Sequence, residues 1–187
     1  MKQKAIFLDR DGTLIKESHY LSDLSQVQLL DQVPEALARL KQAGYFLGMV
    51  TNQSGVARGY FTEAFVGDVF ELLNQQLTPH GAGLDAMEYC PHHKDGKPPL
   101  NQPCHCRKPL PGMLEQMVEK FNLDLEGSWM LGDKMCDVEL GVNAGVSAGL
   151  VLSGYGEKEK QAVLEKHPTA HVFAGLSAFA DFLLGSE

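Results

Sequence analysis

The stretch A-I-F-L-D-R-D-G-T, residues 5–13, places four apolar residues directly before two carboxylates, Asp9 and Asp11. A short apolar run of this kind is typical of a buried β-strand, which we predict over residues 4–8. An acidic residue followed by glycine also occurs in plain turns, so the pair by itself is a weak signal. Two neighbouring carboxylates nevertheless need a compensating cation if both are to stay charged. The stretch therefore predicts a buried strand that ends in an acidic, cation-binding turn.

Short apolar runs alternate with segments of helical periodicity along the rest of the chain. Strands are predicted at 4–8, 45–51, 84–89, 128–131, 147–152 and 170–173, and helices at 33–43, 62–77, 111–121, 134–144, 157–166 and 176–184. Strands that alternate with helices indicate a parallel sheet covered on both faces. We therefore predict an α/β fold, a Rossmann-like doubly wound parallel sheet with helices on both faces, in a single domain over residues 1–187.

Composition and charge exclude several classes of partner. The chain has 187 residues, of which 44% are hydrophobic and 21% charged, and its net charge is −8. This charge argues against non-specific binding to nucleic acid or to an anionic membrane. No apolar run reaches the roughly 18 residues of a membrane span. The N-terminus lacks the apolar stretch of roughly 7–15 residues that a secretory signal needs. We expect a cytoplasmic protein, in which the four cysteines serve as metal ligands or free thiols.

Four polar motifs fall where the predicted strands end. They are D-R-D-G-T (9–13), T-N-Q-S-G (51–55), R-K-P (107–109) and G-D-K-M-C-D (132–137). Ligands of open α/β sheets bind at the carboxyl ends of the strands. The last motif adds a second pair of carboxylates, Asp133 and Asp137. Since Mg²⁺ prefers oxygen ligands and is often completed by substrate phosphate, the motifs together indicate phosphoryl chemistry.

In this order, the motifs resemble those of the haloacid dehalogenase superfamily. The resemblance implies that Asp9 is the nucleophile and forms an aspartyl-phosphate, while Asp11 acts as general acid and base. It implies that Mg²⁺ is held by Asp9, by the backbone carbonyl of Asp11 and by Asp133. Thr51 would bind the transferring phosphate, and Lys108 would shield the charge on Asp9. Asp137, one helical turn after Asp133, would act as an orienting group.

Residues 90–109 form a long polar segment that carries six potential metal ligands, Cys90, His92, His93, Cys104, His105 and Cys106. A structureless segment of this length is uncommon in a domain unless it is functional or held by another interaction. Three thiolates and one imidazole would make a closed tetrahedral Zn²⁺ site, although the residues alone do not decide which histidine is the ligand. The alternative is three reduced cysteines in a surface loop. A closed site has no open position for substrate, so we expect a structural zinc that fixes Arg107 and Lys108. Cys136 is expected to be a packed, uncoordinated thiol.

The C-x-H…C-x-C loop before R-K-P narrows the resemblance to small, capless phosphatases of the superfamily. These remove the 7-phosphate of D-glycero-D-manno-heptose 1,7-bisphosphate, a step toward ADP- or GDP-heptose for lipopolysaccharide or other cell-surface glycans. The resemblance implies that Cys90, His92, Cys104 and Cys106 bind zinc and that His93 and His105 stay free. It also implies a set of residues that contact the substrate: Glu17, Ser18, His19, Tyr20, Thr51, Asn52, Gln53, Ser54, Arg107, Lys108 and Lys134.

Two alternatives remain at this point. A histidinol-phosphate phosphatase would share the motifs and the zinc loop, but Arg107 favours a second phosphate over a cationic amine. A non-catalytic phosphosugar-binding protein on the same fold is expected to lack Asp9 or Asp11, and both are present. We therefore expect a monomeric, Mg²⁺-dependent phosphomonoester hydrolase whose only partner is a sugar bisphosphate.

Overall fold

A computed structural model describes residues 2–185, which form one six-stranded sheet. Its strands are β1 (Gln3–Leu8), β2 (Phe46–Asn52), β3 (Ala86–Cys90), β4 (Leu123–Gly132), β5 (Ser147–Val151) and β6 (His171–Phe173). They lie in the order β3-β2-β1-β4-β5-β6, and each neighbouring pair is parallel. From β1, the chain adds β2 and β3 on one side and then crosses to add β4, β5 and β6 on the other side. The strand order therefore reverses beside β1.

Seven α-helices connect or follow the strands in residues 2–185. They are α1 (Val33–Gln42), α2 (Ser54–Arg58), α3 (Glu63–Leu77), α4 (Gly112–Phe121), α5 (Met135–Ala144), α6 (Gly156–Lys166) and α7 (Leu176–Leu184). None of the helices in this part of the chain is long and apolar enough to cross a membrane.

Alternate side chains of β1 enter different cores on the two faces of the sheet. Ile6 and Leu8 belong to a cluster that also contains buried residues of α1, α3 and α7. Ala5 and Phe7 belong to a second cluster with buried residues of α4 and α5. Successive side chains of a strand point to opposite faces, so a strand buried on both sides needs a continuous apolar run. The predicted doubly wound α/β sheet is confirmed.

The predicted elements agree with the observed ones except in two places. Helix α2 follows β2 after a single residue and was not predicted, because five residues are too few to show helical periodicity. Strand β4 begins at Leu123, five positions before the predicted start. Its first half contains Asp124, Glu126 and Gly127, which interrupt the apolar pattern, and its pairing with β1 shifts register between Lys4 and Ile6.

R-K-P, which was predicted at a strand end, lies at the end of a strand in space but does not follow that strand along the chain. Strand β3 ends at Cys90, and Lys108 lies at the far end of the long polar segment, just before α4. The backbone N–H of Lys108 donates to Asn52 Oδ1 (3.1 Å), and Asn52 Nδ2 donates to the Lys108 carbonyl (3.2 Å). The segment therefore brings Lys108 back to the end of β2, so that Lys108 and Asn52 are close in space although they are far apart in the sequence.

Candidate active site

The carboxyl ends of β1, β2 and β4 border a cavity of about 310 Å³. It lies where the strand order reverses, the usual ligand position in sheets of this kind. Of the residues predicted to bind substrate, all but Ser18 line this cavity. The lining includes Asp9, Asp11, Glu17, His19, Tyr20, Thr51, Asn52, Gln53, Ser54, Arg107, Lys108 and Lys134.

Lys108 joins two buried carboxylates at the base of the cavity. Its Nζ lies 2.7 Å from Asp9 Oδ1 and 2.7 Å from Asp137 Oδ1. Burial opposes the charge on Lys108, but the carboxylates of Asp137 and Asp9 outweigh it and raise the pKa of Lys108 above its ordinary value. Burial likewise opposes ionisation of Asp9, but Lys108 and Lys134 lower the pKa of Asp9 below its ordinary value. Asp9 is therefore held as a carboxylate, the form that a nucleophile requires.

Asp9, Asp133 and Asp137 each offer an oxygen, and these oxygens lie within 4.8 Å of one another. Burial and the Asp9 carboxylate raise the pKa of Asp133 to about 7. Burial also raises the pKa of Asp137 to about 6, against the opposing effect of Lys108. Ionisation of Asp133 and Asp137 is thus opposed mainly by burial and also by the nearby Asp9 carboxylate, and a bound divalent cation would favour their charged forms.

Asp133 has one oxygen available for such a cation. Its Oδ2 accepts a hydrogen bond from the backbone N–H of Tyr155 (2.8 Å), whereas its Oδ1 has no hydrogen-bond partner within residues 2–185. The carboxylate lies against backbone: a Cβ at Gly12 or at Gly154 would overlap it. All-oxygen donors in a tight acidic cradle suit Mg²⁺, and the residues present fit this ion.

Asp11 is held from two sides. The Arg10 guanidinium lies 2.9 Å from Asp11 Oδ2 and contacts both carboxylate oxygens. Gln53 Nε2 donates to Asp11 Oδ2 (3.1 Å) and to Thr51 Oγ1 (2.9 Å), while Gln53 Oε1 accepts from Arg10 (3.0 Å). These contacts fix the Asp11 carboxyl group at the cavity beside Asp9, on the turn that follows β1.

The loop after β1 forms one wall of the cavity. Glu17 Oε2 lies 3.0 Å from Lys134 Nζ, and Glu17 Oε1 accepts from the backbone N–H of His19 (2.8 Å). The rings of His19 and Tyr20 pack edge to face. Ser18 differs from its neighbours, because its hydroxyl is buried and the residue lies outside the cavity lining of the described chain. A contact between Ser18 and substrate stays a prediction.

The residues of the cavity that were not predicted from the sequence include Arg10, Phe61 and Tyr155. Arg10 could have been recognised, because it lies between the two aspartates of the first motif. Tyr155 follows the strand predicted at 147–152 and is flanked by glycines, which is a strand-end signal of the same kind as the four motifs. Phe61 follows α2 and has no signal of its own.

The polar segment brings four thiol and imidazole groups together. The ligand atoms of Cys90, His92, Cys104 and Cys106 lie within 4.8 Å of one another. The Cys106 and Cys90 sulfurs are 2.9 Å apart, and His92 Nδ1 lies 3.4 Å from the Cys106 sulfur. Three sulfurs and one ring nitrogen around a common centre fit a closed Zn²⁺ site. The arrangement contains His92, as the resemblance implied.

The other candidate ligands have different partners. His93 contacts the Arg58 guanidinium (3.2 Å) and accepts from the backbone N–H of Asp95 (3.2 Å). His105 lies 2.7 Å from a Glu115 oxygen. Cys136 is half-buried at the cavity, where burial and the Asp137 carboxylate raise its pKa to about 12. None of the three belongs to the four-residue group.

Comparisons with known proteins identify the family. A family model described as "HAD-hyrolase-like" matches residues 105–179. The D-glycero-beta-D-manno-heptose-1,7-bisphosphate 7-phosphatase of Pasteurella multocida is 44% identical over 169 residues, which cover 87% of this chain and 92% of that protein. The protein of the same name from Escherichia coli K12 is 40% identical over 149 residues, which cover 79% of this chain and 78% of that protein.

Solved structures agree with these relatives. The D,D-heptose 1,7-bisphosphate phosphatase of B. bronchiseptica, crystallised with magnesium and phosphate, has a TM-score of 0.87 and 33% identity, and the match covers 99% of this chain and 100% of that one. The enzyme of the same name from Burkholderia thailandensis has a TM-score of 0.70 and 27% identity, with coverage of 98% and 100%. This chain belongs to the D-glycero-D-manno-heptose-1,7-bisphosphate 7-phosphatase family of haloacid dehalogenase-like hydrolases.

Proposed function

We propose that this protein is a phosphatase that hydrolyses the 7-phosphate of D-glycero-D-manno-heptose 1,7-bisphosphate. The observation that carries the proposal is the buried Asp9–Lys108–Asp137 group at the end of β1, which holds Asp9 as a carboxylate at the base of a polar cavity. The relatives named for this activity share at least 40% of their residues with this chain in the matched regions. Such an enzyme would supply heptose 1-phosphate for nucleotide-activated precursors of surface glycans.

The residues support a two-step reaction. An Asp9 oxygen attacks phosphorus and forms an aspartyl-phosphate, while the bond to the sugar oxygen breaks and Asp11 protonates that oxygen. Asp11 then removes a proton from water, the water oxygen attacks phosphorus, and inorganic phosphate leaves with Asp9 restored. Thr51 would bind the phosphoryl oxygens on which charge develops, and the ammonium of Lys108 would shield that charge and the charge on Asp9.

We infer two metal ions with different roles. Asp9, Asp133 and the backbone carbonyl of Asp11 would hold Mg²⁺, which neutralises phosphate charge so that an anionic nucleophile can approach. The cluster of Cys90, His92, Cys104 and Cys106 would hold a structural Zn²⁺ that fixes the segment carrying Arg107. Arg107 lines the cavity and donates to the His92 carbonyl (3.0 Å), so a residue of the cavity wall is hydrogen-bonded to a proposed zinc ligand.

We further infer a capless, single-domain enzyme that acts as a monomer in the cytoplasm. Only a loop with one short 3₁₀ turn and helix α1 separates β1 from β2, which leaves the loop around Glu17–Tyr20 to form the outer wall of the cavity. Without a cap, the surface loops must supply selectivity. Arg107 and Lys134 at the cavity would receive the distal phosphate.

The experiment is a comparison of kcat/KM for phosphate release with Mg²⁺ on heptose 1,7-bisphosphate and on histidinol phosphate. Asp9→Asn is the matched blank, because it keeps the shape of the side chain and removes its charge. We expect a strong preference for the bisphosphate that is abolished in Asp9→Asn. A preference for histidinol phosphate would retain the mechanism and overturn the substrate. Equal release by the wild type and Asp9→Asn would overturn the phosphatase proposal.

A further inference from the structure

Tyr155 lies at the cavity in a position fixed by two glycines. Its backbone N–H donates to Asp133 Oδ2 (2.8 Å). Gly154 has a positive φ of +55°, and a Cβ there would overlap the Asp133 carboxylate. A Cβ at Gly156 would overlap the carbonyl of Val151. Glycine is required on both sides because the backbone approaches its neighbours too closely for a side chain. The G-Y-G segment therefore holds Tyr155 against the acidic cradle.

The ring of Tyr155 lies beside a cation that faces the cavity. The Nζ of Lys134 is 4.7 Å from the ring centroid, 3.0 Å from Glu17 Oε2 and 3.8 Å from Asp133 Oδ1. Its contacts with the carboxylates of Glu17 and Asp133 are those of a charged ammonium group, as an interaction with an aromatic face requires.

An aromatic ring and a carboxylate stabilise an ammonium group in different ways. A further carboxylate in place of the ring, in addition to those of Glu17 and Asp133, would neutralise the positive charge of Lys134 and leave it little attraction for a phosphate. The quadrupole of the Tyr155 ring attracts the ammonium without adding net negative charge. The ring also covers part of the ammonium surface and limits the directions in which the long lysine side chain can extend.

We propose that Tyr155 is a positioning residue that holds the ammonium of Lys134 at the cavity. When a ligand binds, the ammonium of Lys134 leaves the Glu17 carboxylate and pairs with an anionic group of the ligand. The inference rests on the proposed function in one respect, namely that the ligand carries phosphate. Nothing in it requires a particular sugar.

The test is a double-mutant cycle read by calorimetric binding of inorganic phosphate in saturating Mg²⁺ and beryllium fluoride, which occupies Asp9 as a phosphoryl mimic and leaves the distal-phosphate position at Lys134 open. Tyr155→Leu removes the aromatic face and keeps the backbone N–H, whereas Tyr155→Phe keeps the face. We expect Tyr155→Leu to weaken phosphate binding by about 2- to 30-fold, the range of a cation–π contact, and Tyr155→Phe to change it little. In a Lys134→Met background, Tyr155→Leu should have no further effect, because its role passes through Lys134.

Lys158 supplies the matched control, since its ammonium also lies near the ring, 5.7 Å from the centroid, but the side chain is exposed and outside the cavity lining of the described chain. Lys158→Met should bind phosphate as the wild type does. An equal loss in Tyr155→Phe and Tyr155→Leu would overturn the proposal, as would an undiminished effect of Tyr155→Leu in the Lys134→Met background.

A second readout separates this inference from the proposed function. The ring current of Tyr155 should shift the NMR signals of the Lys134 ε-methylene, assigned by their absence in Lys134→Met. We expect that shift in the wild type and in Tyr155→Phe and its loss in Tyr155→Leu. A wild type that fails to bind phosphate would contradict the proposed function, whereas an ε-methylene signal unchanged by Tyr155→Leu would contradict the role of Tyr155.

Discussion

The ammonium nitrogen of Lys108 lies 2.7 Å from Oδ1 of Asp9, although the two residues occupy opposite halves of the chain. The same nitrogen lies 2.7 Å from Asp137 Oδ1 and donates to the Val50 carbonyl (2.9 Å). These three acceptors match the three donors of an ammonium group. One buried cation thus compensates two buried carboxylates and also ties them to β2. The stability of the fold and the ionisation of Asp9 depend on the same side chain.

Replacing Lys108 by methionine should therefore reduce both stability and activity. The change leaves Asp9 and Asp137 buried without their cation, a defect that typically costs about 3–5 kcal/mol. We expect denaturant unfolding to show a loss of this size and phosphate release to fall to background. Lys120→Met, at an exposed position of α4, is the control and should change neither. A Lys108→Met protein with wild-type stability would contradict the role of Lys108 as the compensating charge.

The proposed role of Asp11 as general acid predicts a dependence on the leaving group. Asp11→Asn should lower kcat on the sugar bisphosphate by about 10²- to 10⁴-fold, because the alkoxide then leaves without a proton. The loss on p-nitrophenyl phosphate should be much smaller, since nitrophenolate is a stable leaving group. The measurement is the ratio of the two rates in the wild type and in the variant. Equal losses on both substrates would show that Asp11 does not protonate the leaving oxygen.

Two neighbouring histidines give a direct test of the zinc site. His92 Nδ1 lies among the three sulfurs, whereas His93 contacts Arg58. We expect the purified protein to contain about one zinc ion per chain, since a closed site takes four protein ligands. His92→Asn should lose most of it and His93→Asn should keep it.

The measurement is metal analysis together with thermal unfolding. Removal of zinc with a chelator should lower the unfolding temperature of the wild type and of His93→Asn, but not that of His92→Asn. Zinc retained equally by both variants would contradict the assignment of His92.

The glycine in D-R-D-G-T should be necessary for the magnesium site. Gly12 has a φ of +81°, and a Cβ there would overlap the Asp133 carboxylate. Gly145 has a φ of +74°, but a Cβ there would meet nothing within 4 Å among the described atoms. Both alanine variants should lose roughly 1–2 kcal/mol of stability through the left-handed backbone. Only Gly12→Ala should also need more Mg²⁺ for half-maximal activity, because the displaced carboxylate is a proposed ligand.

Gly145→Ala is the control in this comparison, because both variants introduce the same backbone strain and only Gly12→Ala also places a Cβ against Asp133. An identical Mg²⁺ requirement in Gly12→Ala and Gly145→Ala would show that the Asp133 carboxylate tolerates the added Cβ. The proposed position of the ion would then have to be revised.

Local pattern was sufficient for most elements of the fold. The run A-I-F-L predicted a strand buried on both faces, and Thr62 predicted the start of α3, where its hydroxyl accepts from the backbone N–H of Phe65 (3.1 Å). Helix α2 and the first half of β4 were not predictable in this way. The first is too short for periodicity, and the second is held by pairing with Gln3 and Lys4 despite its polar residues.

The features of the candidate site can likewise be separated into those that local sequence predicts and those that depend on tertiary contacts. The amino-acid sequence by itself determined which groups are available: carboxylates after β1 and β4, a hydroxyl at the end of β2, and thiols with histidines in one polar segment. These are local properties of residue type and spacing. The family resemblance implied that Lys108 acts on Asp9 and that His92 is the zinc ligand, but residue type and spacing did not. The tertiary structure shows that Lys108 reaches Asp9 and that His92 and not His93 lies among the sulfurs, and it alone shows that Tyr155 faces Lys134. Each of these contacts joins segments whose separation in space depends on how the sheet and its loops pack, and that information is not contained in any single stretch of the chain.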